Sequence, residues 1–226
     1  MSNTKIIAKN TGWYGLESAI SFIVTLFTSI AIARYLGPTK MGYMIYVFWI
    51  AQIVSNLGSM GIPNTTRKYM AEFLGKGDRG TARYIYFRTL LLQTTLATLA
   101  TLGIFLWLLH DAKHGYLLAT SLVAFSIWPA MVNSISAQAN IAAETLEANV
   151  TASVVSVVVY FAAIILTIIF HWSVIGVGAS VLAMRLSDFI VRLFPTLRRV
   201  LSWEKVHAHS AGLAARMVPY AWQSIV

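Results

Sequence analysis

The sequence predicts an all-α integral membrane protein: a bundle of six transmembrane helices, followed by the start of a seventh. Of its 226 residues, 58% are hydrophobic and 11% are charged, and the mean hydropathy is +0.69. A typical soluble domain has about 25% charged residues, so one soluble core cannot bury this apolar excess. Six stretches are also long enough to cross a bilayer, and the basic residues cluster beside them.

Each predicted span is a run of roughly 20 mostly apolar residues, which crosses a hydrocarbon core of about 30 Å as a helix. The spans cover about residues 12–35, 41–62, 84–109, 115–139, 150–170 and 174–195. We therefore predict an N-terminal six-helix lobe over residues 1–205. Residues 206–226 are predicted to begin a second lobe with a truncated seventh helix, which starts near Met217.

A short amphipathic helix is predicted between the second and third spans, over residues 67–74. Its apolar side chains fall on one face, which is typical of a helix that lies on a membrane surface. These side chains are Tyr69, Met70, Phe73 and Leu74.

The connections between spans differ in charge, and this difference predicts the orientation. The segments 63–83 and 196–210 are long and basic, whereas only Arg34, Lys40 and Lys113 fall at the opposite ends of the spans. Because Lys and Arg are retained on the cytoplasmic side, the N-terminus is predicted to be cytoplasmic. The expected location is the cytoplasmic (inner) membrane, with multiple passes.

The sixth span contains three charged residues, Arg185, Asp188 and Arg192, whose spacing places them on one helix face. At 1.5 Å per residue from Trp172, they lie about 20, 24 and 30 Å deep. Arg192 is therefore expected to reach the inner interface. Arg185 is deeper and costs roughly 2.5–3.5 kcal/mol unless it faces protein or water. Two roles stay open for it: a structural pair with Asp188, or a cationic cavity wall that binds a phosphate-bearing ligand.

Two further charged residues lie in the first span. Glu17 is near its inner end, where an acid is favourable at a helix N-terminus. Its alternative roles are a carboxylate that couples transport to a proton or sodium ion, and a charge partner for Arg185. Arg34 closes the outer end of the span, either as an interfacial anchor or as an outer-gate contact with substrate.

Metal, cofactor and nucleic-acid roles have little support in the sequence. The absence of cysteine excludes disulfides and thiolate metal sites. In "HDAKH" (110–114) no third ligand follows the two histidines, and "GKGDRGT" (75–81) lacks the spacing of a phosphate-binding loop. The net charge of +9 is concentrated beside the spans, where it suits a membrane better than a nucleic acid. We therefore expect no cofactor and no metal.

Three stretches carry a recognisable pattern. They are "IAIARYLGPTKMGYMIYVFWI" (30–50), "LGSMGIPNTTRKYMAEFLGKGDRGTAR" (57–83) and, more weakly, "MVPYAWQSIV" (217–226). The first two resemble the first helical hairpin and the basic inner loop of bacterial and archaeal polysaccharide-biosynthesis flippases. The third is similar to the start of their seventh helix. These flippases belong to the multidrug/oligosaccharidyl-lipid/polysaccharide exporter superfamily.

The resemblance implies a fold of two six-helix lobes packed as a V, of which this chain supplies one. It is therefore expected to be a fragment whose partner is a C-terminal lobe or a second copy. The implied function is flipping of a polyprenyl-diphosphate-linked glycan, such as a lipopolysaccharide O-antigen precursor, among membrane lipids. Arg185, Arg34 and Arg192 are then candidate substrate contacts, and Asp188 and Glu17 are candidates for ion coupling or charge pairing.

Three other functions stay open. A multidrug or cation exporter of the same superfamily would favour acidic cavities, whereas the deep charge here is net positive. A non-transporting accessory subunit would need a lobe that is stable alone. A membrane enzyme acting on lipid-linked sugars would need a nucleophile or general base, for which the sequence offers no candidate. An enzyme is therefore not expected.

Overall fold

The computed structural model describes residues 3–111, 116–203, 217 and 219–221, and all regular elements in them are helices. The helices are α1 (Asn3–Ser59), α2 (Ile62–Gly75), α3 (Arg79–Asp111), α4 (Leu117–Ala142), α5 (Leu146–Ile169) and α6 (Ser173–Leu201). Five of these six are long and apolar enough to cross a membrane, α2 being the exception. The predicted all-α membrane fold is thereby confirmed.

The first helix, α1, consists of two arms that meet at Gly37. This residue has φ 73° and ψ 172°, a conformation that is essentially restricted to glycine, and Pro38 follows it. A straight helix of 57 residues would be about 86 Å long, far more than a bilayer core. Thr25 before Gly37 and Ala51 after it line the same cavity, so the arms lie side by side. They supply the first two predicted spans.

The predicted helix over 67–74 is present, but it begins earlier and has different surroundings. As α2 it spans Ile62–Gly75, after Gly61 in the left-handed region and with Pro63 in its first turn. Tyr69 and Met70 are 4% and 0% exposed, because this face packs against α3 and α4. The apolar face that predicts membrane contact is therefore covered by protein.

The helix α4 lies at the centre of the bundle and contacts α1, α2, α3, α5 and α6. Its membrane segment is 61% buried, against 17–28% for the other spans. Two glycines allow α6 to pack closely, Gly178 against α4 and Gly176 against α5. A Cβ on Gly178 would lie 2.7 Å from the carbonyl oxygen of Ala119, and one on Gly176 would lie 2.4 Å from the Thr167 methyl group. Small residues of this kind let membrane helices approach closely.

One end of the bundle, which we call the hairpin end, carries Gly37 and the turn over residues 170–172. Two polar contacts join α1 to the start of α6 here. The backbone N–H of Ser173 donates to Tyr35 Oη at 3.0 Å, and Lys40 Nζ donates to Ser173 Oγ at 3.0 Å. These contacts tie the first helical hairpin to the last one.

The opposite end, which we call the basic end, carries the turns over residues 76–78 and 143–145 and the C-terminus of α6. Arg83 Nη1 donates to the carbonyl oxygens of Leu201 and Trp203 at 2.9 and 2.7 Å, where a cation stabilises the end of a helix. Most basic residues of the described chain lie at this end. They include Arg67, Lys68, Lys76, Arg79, Arg198 and Arg199.

The α3 helix begins at the basic end behind the carboxylate of Asp78. The Thr81 hydroxyl donates to Asp78 Oδ2 at 2.6 Å, and the Thr81 backbone N–H donates to Oδ1 at 2.9 Å. These hydrogen bonds hold the pKa of Asp78 below its ordinary value. The sequence "DRGT" thus caps α3 in the way that aspartate commonly caps helices.

Candidate functional site

A cavity of about 500 Å³ opens between both arms of α1 and the helices α4, α5 and α6. We call it the polar cavity, and its volume is within the range of small-ligand sites. Its polar lining residues are Thr25, Gln52, Ser55, Asn56, Ser59, Ser126, Ser134, Tyr160 and Arg185. The cavity therefore combines hydroxyl and amide groups with one positive charge inside a predicted membrane span.

The α1 wall of the polar cavity carries a stripe of polar residues in its second arm. Gln52, Ser55, Asn56 and Ser59 follow the spacing i, i+3, i+4, i+7, which places them on one helix face. Gln52 Nε2 donates to Asn56 Oδ1 at 2.9 Å, and this bond holds the two amides together. Gln52 Oε1 and the Nδ2 amino group of Asn56 have no hydrogen-bond partner among the described residues and remain available for a ligand.

The facing wall is formed by α4, α5 and α6. The hydroxyls of Ser126 and Ser134 donate to carbonyl oxygens of their own helix, at 2.7 and 2.6 Å. A hydroxyl that donates in this way still has acceptor capacity. Tyr160 and Arg185 complete this wall and supply its strongest hydrogen-bond donors.

Arg185 is half-buried, and it is the charged side chain among the described residues that line the polar cavity. It forms no salt bridge and no hydrogen bond with a described residue. The nearby charge of opposite sign belongs to Asp188, whose two carboxylate oxygens are both occupied by other partners. The cavity wall thus has a guanidinium group whose N–H donors have no hydrogen-bond partner among the described residues.

Asp188 and Arg192 form the ion pair of α6, with Arg192 Nη2 and Asp188 Oδ1 2.6 Å apart. Asn133 Nδ2 donates to the other carboxylate oxygen at 2.6 Å, and Arg192 also donates to Ser153 Oγ at 3.3 Å. The two ionic side chains are only 17% and 12% exposed. This network joins α6 to α4 and α5.

Of the two roles left open for Arg185, the structural pair with Asp188 is not formed in this structure. Asp188 pairs instead with Arg192, and this pairing, with little exposure, differs from the interface anchor expected of Arg192. Side chains on a helix lean towards its N-terminus. Arg192 follows Asp188 by four residues and leans back onto it, whereas Arg185 precedes Asp188 and leans away. The spacing rule treats both arginines alike and does not include this direction.

The other candidate residues lie away from the polar cavity. Arg34 is exposed near the hairpin end, three residues before Gly37, and it does not line the cavity. Glu17 falls within α1, but its side chain lies outside the part of the molecule that the structure describes. The structure thus brings Asp188 and Arg192 together, places Arg185 on the cavity, and leaves Arg34 apart from them.

Sequence reasoning missed three residues of this region: Gln52, Asn56 and Asn133. The first two had a signal, because amides are rare in apolar spans and "AQIVSNLGS" (51–59) repeats polar residues on one helix face. The sequence signal for Asn133 was weaker. Its role depends on α4 lying beside α6, which the spans alone do not specify.

Comparisons with known proteins agree with this fold. The sequence model of the family described as "Polysaccharide biosynthesis protein" matches residues 7–225. No curated protein sequence matches the chain. The same fold is found in a solved structure of a MOP superfamily transporter from Pyrococcus furiosus. The reverse polarity of that transporter's binding pocket is described as suggesting a different function for it. The solved structure aligns over 96% of this chain with a TM-score of 0.71 and 14% identity.

This chain spans about half the length of that transporter, 52% of its residues. The family match covers nearly the whole chain, including the stretches at 30–50 and 57–83 that carry the resemblance. The multiple apolar helices identify a multi-pass membrane protein. The chain belongs to the polysaccharide biosynthesis protein family, as its sequence predicted.

Proposed function

We propose that this chain is one lobe of a transporter that flips lipid-linked oligosaccharide or polysaccharide precursors across the cytoplasmic membrane. The polar head crosses within the polar cavity while the lipid tail stays in the bilayer. The supporting observation is the composition of the cavity wall: the guanidinium group of Arg185, which has no described hydrogen-bond partner, lies among hydroxyl and amide groups. Arginine donates in a fork to phosphate oxygens, and the amides and hydroxyls suit sugar hydroxyl groups.

The same observation disfavours export of cationic drugs. Such substrates need a carboxylate in the cavity, and the described lining residues include no Asp or Glu. Asp188, the nearest acid on α6, is already neutralised by Arg192. A cation in the polar cavity would therefore meet a like charge without a compensating one.

In this proposal the cavity is completed by a second lobe or by a second copy of the chain. Rocking of two lobes about a shared midplane site is a common way to alternate access. The basic end faces the cytoplasm, since Lys and Arg bias towards that side, and the N-terminus is then cytoplasmic. Arg34 is exposed near the hairpin end, which this orientation makes the outer end, and there it would meet a departing head group.

We assign Asp188 and Arg192 a positioning role, because they neutralise each other in a salt bridge and their hydrogen bonds join α6 to α4 and α5. Glu17 is then the candidate of the first span for coupling to a proton or sodium ion. Its replacement by Gln should lower the dependence of export on the ion gradient, whereas replacement of Asp188 should lower the amount of folded protein.

The test replaces Arg185 in the full-length gene of a cell that exports its polysaccharide. Arg185→Ala should reduce surface polysaccharide by at least roughly 100-fold, in line with loss of a charged binding group worth about 3 kcal/mol. The lipid-linked precursor should accumulate on the inner leaflet, and Arg185→Lys should retain partial export. Arg67→Ala, which removes an exposed arginine of α2, is the matched control.

Export at the parental level by Arg185→Ala, with normal insertion, would contradict this role of Arg185. A second readout separates the two transporter classes. If deletion of the gene lowers resistance to cationic drugs and leaves surface polysaccharide unchanged, the flippase proposal is wrong.

A further inference from the structure

Two grooves lie side by side at the basic end, apart from the polar cavity. The first has a volume of about 420 Å³ and is lined by Phe194, Pro195 and Arg198 together with Arg199 and Ser202. The second, of about 520 Å³, is lined by Arg79 among others and shares Arg199 and Ser202 with the first. We call this pair the arginine grooves. They adjoin at Arg199 and Ser202, at the end of α6, and we refer to them together as the recess.

The arginines of these grooves have free hydrogen-bond donors. Arg79 and Arg198 are exposed and make no side-chain hydrogen bond or ion pair with a described residue. Arg199 uses Nη1 to donate to Asn140 Oδ1 at 3.4 Å and to Thr145 Oγ1, which leaves its Nε and Nη2 without a described partner. Among the described lining residues three arginines carry a positive charge and Glu144 carries a negative one, so the recess is net positive.

An apolar strip on α6 leads from the predicted hydrocarbon region to the arginine grooves. Ile190 and Phe194 are 61% and 69% exposed and lie one helical turn apart on the same face. Arg198 follows one turn later, about 6 Å further along the helix axis. An acyl chain lying along this strip would bring its phosphate to Arg198. This continuity with lipid-facing surface distinguishes the recess from a site for free phosphate.

We infer that the arginine grooves bind the phosphodiester headgroup of an anionic phospholipid, with one acyl chain along Ile190 and Phe194. A guanidinium fork matches phosphate oxygens, and basic recesses between spans at the membrane surface are suited to anionic headgroups. Since Arg199 also bonds Asn140 and Thr145, a bound headgroup would tie the C-terminus of α6 to the turn between α4 and α5. This inference does not depend on the transported substrate.

Native mass spectrometry of the whole chain in detergent tests the inference directly. Phosphatidylglycerol is added at increasing concentration, and phosphatidylcholine serves as the zwitterionic comparison. The parent should bind phosphatidylglycerol with a defined stoichiometry and phosphatidylcholine weakly. Arg198→Gln and Arg79→Gln should each weaken phosphatidylglycerol binding about five-fold, the effect of one basic residue near an anionic surface.

The matched control is Arg67→Gln, which removes one positive charge at the same end from a residue that lines neither groove. It should leave binding within about two-fold of the parent, since a charge outside the contact acts only through screened electrostatics. Equal weakening by all three variants would overturn the inference in favour of a diffuse basic surface. Equal binding of both lipids by the parent would overturn it as well.

The parent protein also separates a lipid from free phosphate without any variant. Millimolar inorganic phosphate should not displace bound phosphatidylglycerol, because it lacks the chain that contacts Phe194. Displacement by inorganic phosphate would overturn the assignment to a lipid. A variant with its phosphate-binding arginines intact, Phe194→Ser, should weaken phosphatidylglycerol binding if the acyl chain uses this strip, and unchanged binding would contradict that path.

Discussion

Two arginines on α6, seven residues apart, occupy opposite electrostatic situations. Arg192 forms a salt bridge with Asp188 at 2.6 Å and is 12% exposed, whereas Arg185 stands on the wall of the polar cavity without such a bridge to a described residue. Both lie within one turn of the same carboxylate. The order of the charges along the helix thus decides which arginine is neutralised and which stays available. Four substitutions test this contrast.

Replacing Asp188 should have the largest effect. Asp188→Ala leaves Arg192 within the bundle without its counter-charge, and removal of one partner of a buried pair costs about 3–5 kcal/mol. The measurement is the free energy of unfolding in mixed micelles. The double variant Asp188→Ala/Arg192→Ala should recover part of the loss. A single variant as stable as the parent would show that Arg192 finds water or another partner.

Asn133→Ala should have the next largest effect, because Asn133 donates at 2.6 Å to the second oxygen of the same carboxylate. Hydrogen bonds to charged groups contribute about 1.5–3 kcal/mol. The free energy of unfolding should fall by that amount in the same assay. Ser134→Ala is the control, since that hydroxyl only bonds a carbonyl of its own helix. An equal loss of unfolding free energy in the two variants would contradict a stabilising role of the hydrogen bond between Asn133 and Asp188.

Asp78 provides a carboxylate outside the membrane spans for comparison with Asp188. Asp78→Ala should lower the free energy of unfolding by about 1 kcal/mol at neutral pH, the usual contribution of a helix cap. Because folding lowers the pKa of Asp78, its contribution is present above the ordinary aspartate pKa and is lost as the pH falls through the lowered value. The stability difference between parent and variant should therefore shrink in acid, and a constant difference would exclude the charged cap.

Arg185→Gln should have the smallest effect on stability, within about 0.5 kcal/mol, because no described salt bridge or hydrogen bond is lost. In the Arg185→Gln variant, polysaccharide export should fall while the free energy of unfolding stays close to that of the parent. A destabilisation as large as that of Asp188→Ala would place Arg185 in the structural network and end the contrast between the two arginines.

The spans, the short helix after the second span and the family were predictable because they depend on local information. Runs of apolar residues, helical periodicity and a contiguous motif all lie within about 30 residues of sequence. The partner of Asp188 was not predictable from spacing alone, because it required the direction in which helical side chains lean. Asn133 required knowledge of which helices touch, and hydropathy does not contain that knowledge.

The central position of α4 has a consequence for the order of assembly during synthesis. Asn133 and Asn140 hydrogen-bond Asp188 and Thr196 of α6, which are 55 and 56 residues later in the chain. At a synthesis rate of about 5–20 residues per second, α4 therefore waits roughly 3–11 s for these partners. During that interval its amides must be solvated by the insertion machinery, by water or by each other. The most enclosed helix of the described bundle thus completes its contacts only after α6 has been synthesised, and a chaperone that holds α4 until α6 arrives should raise the yield.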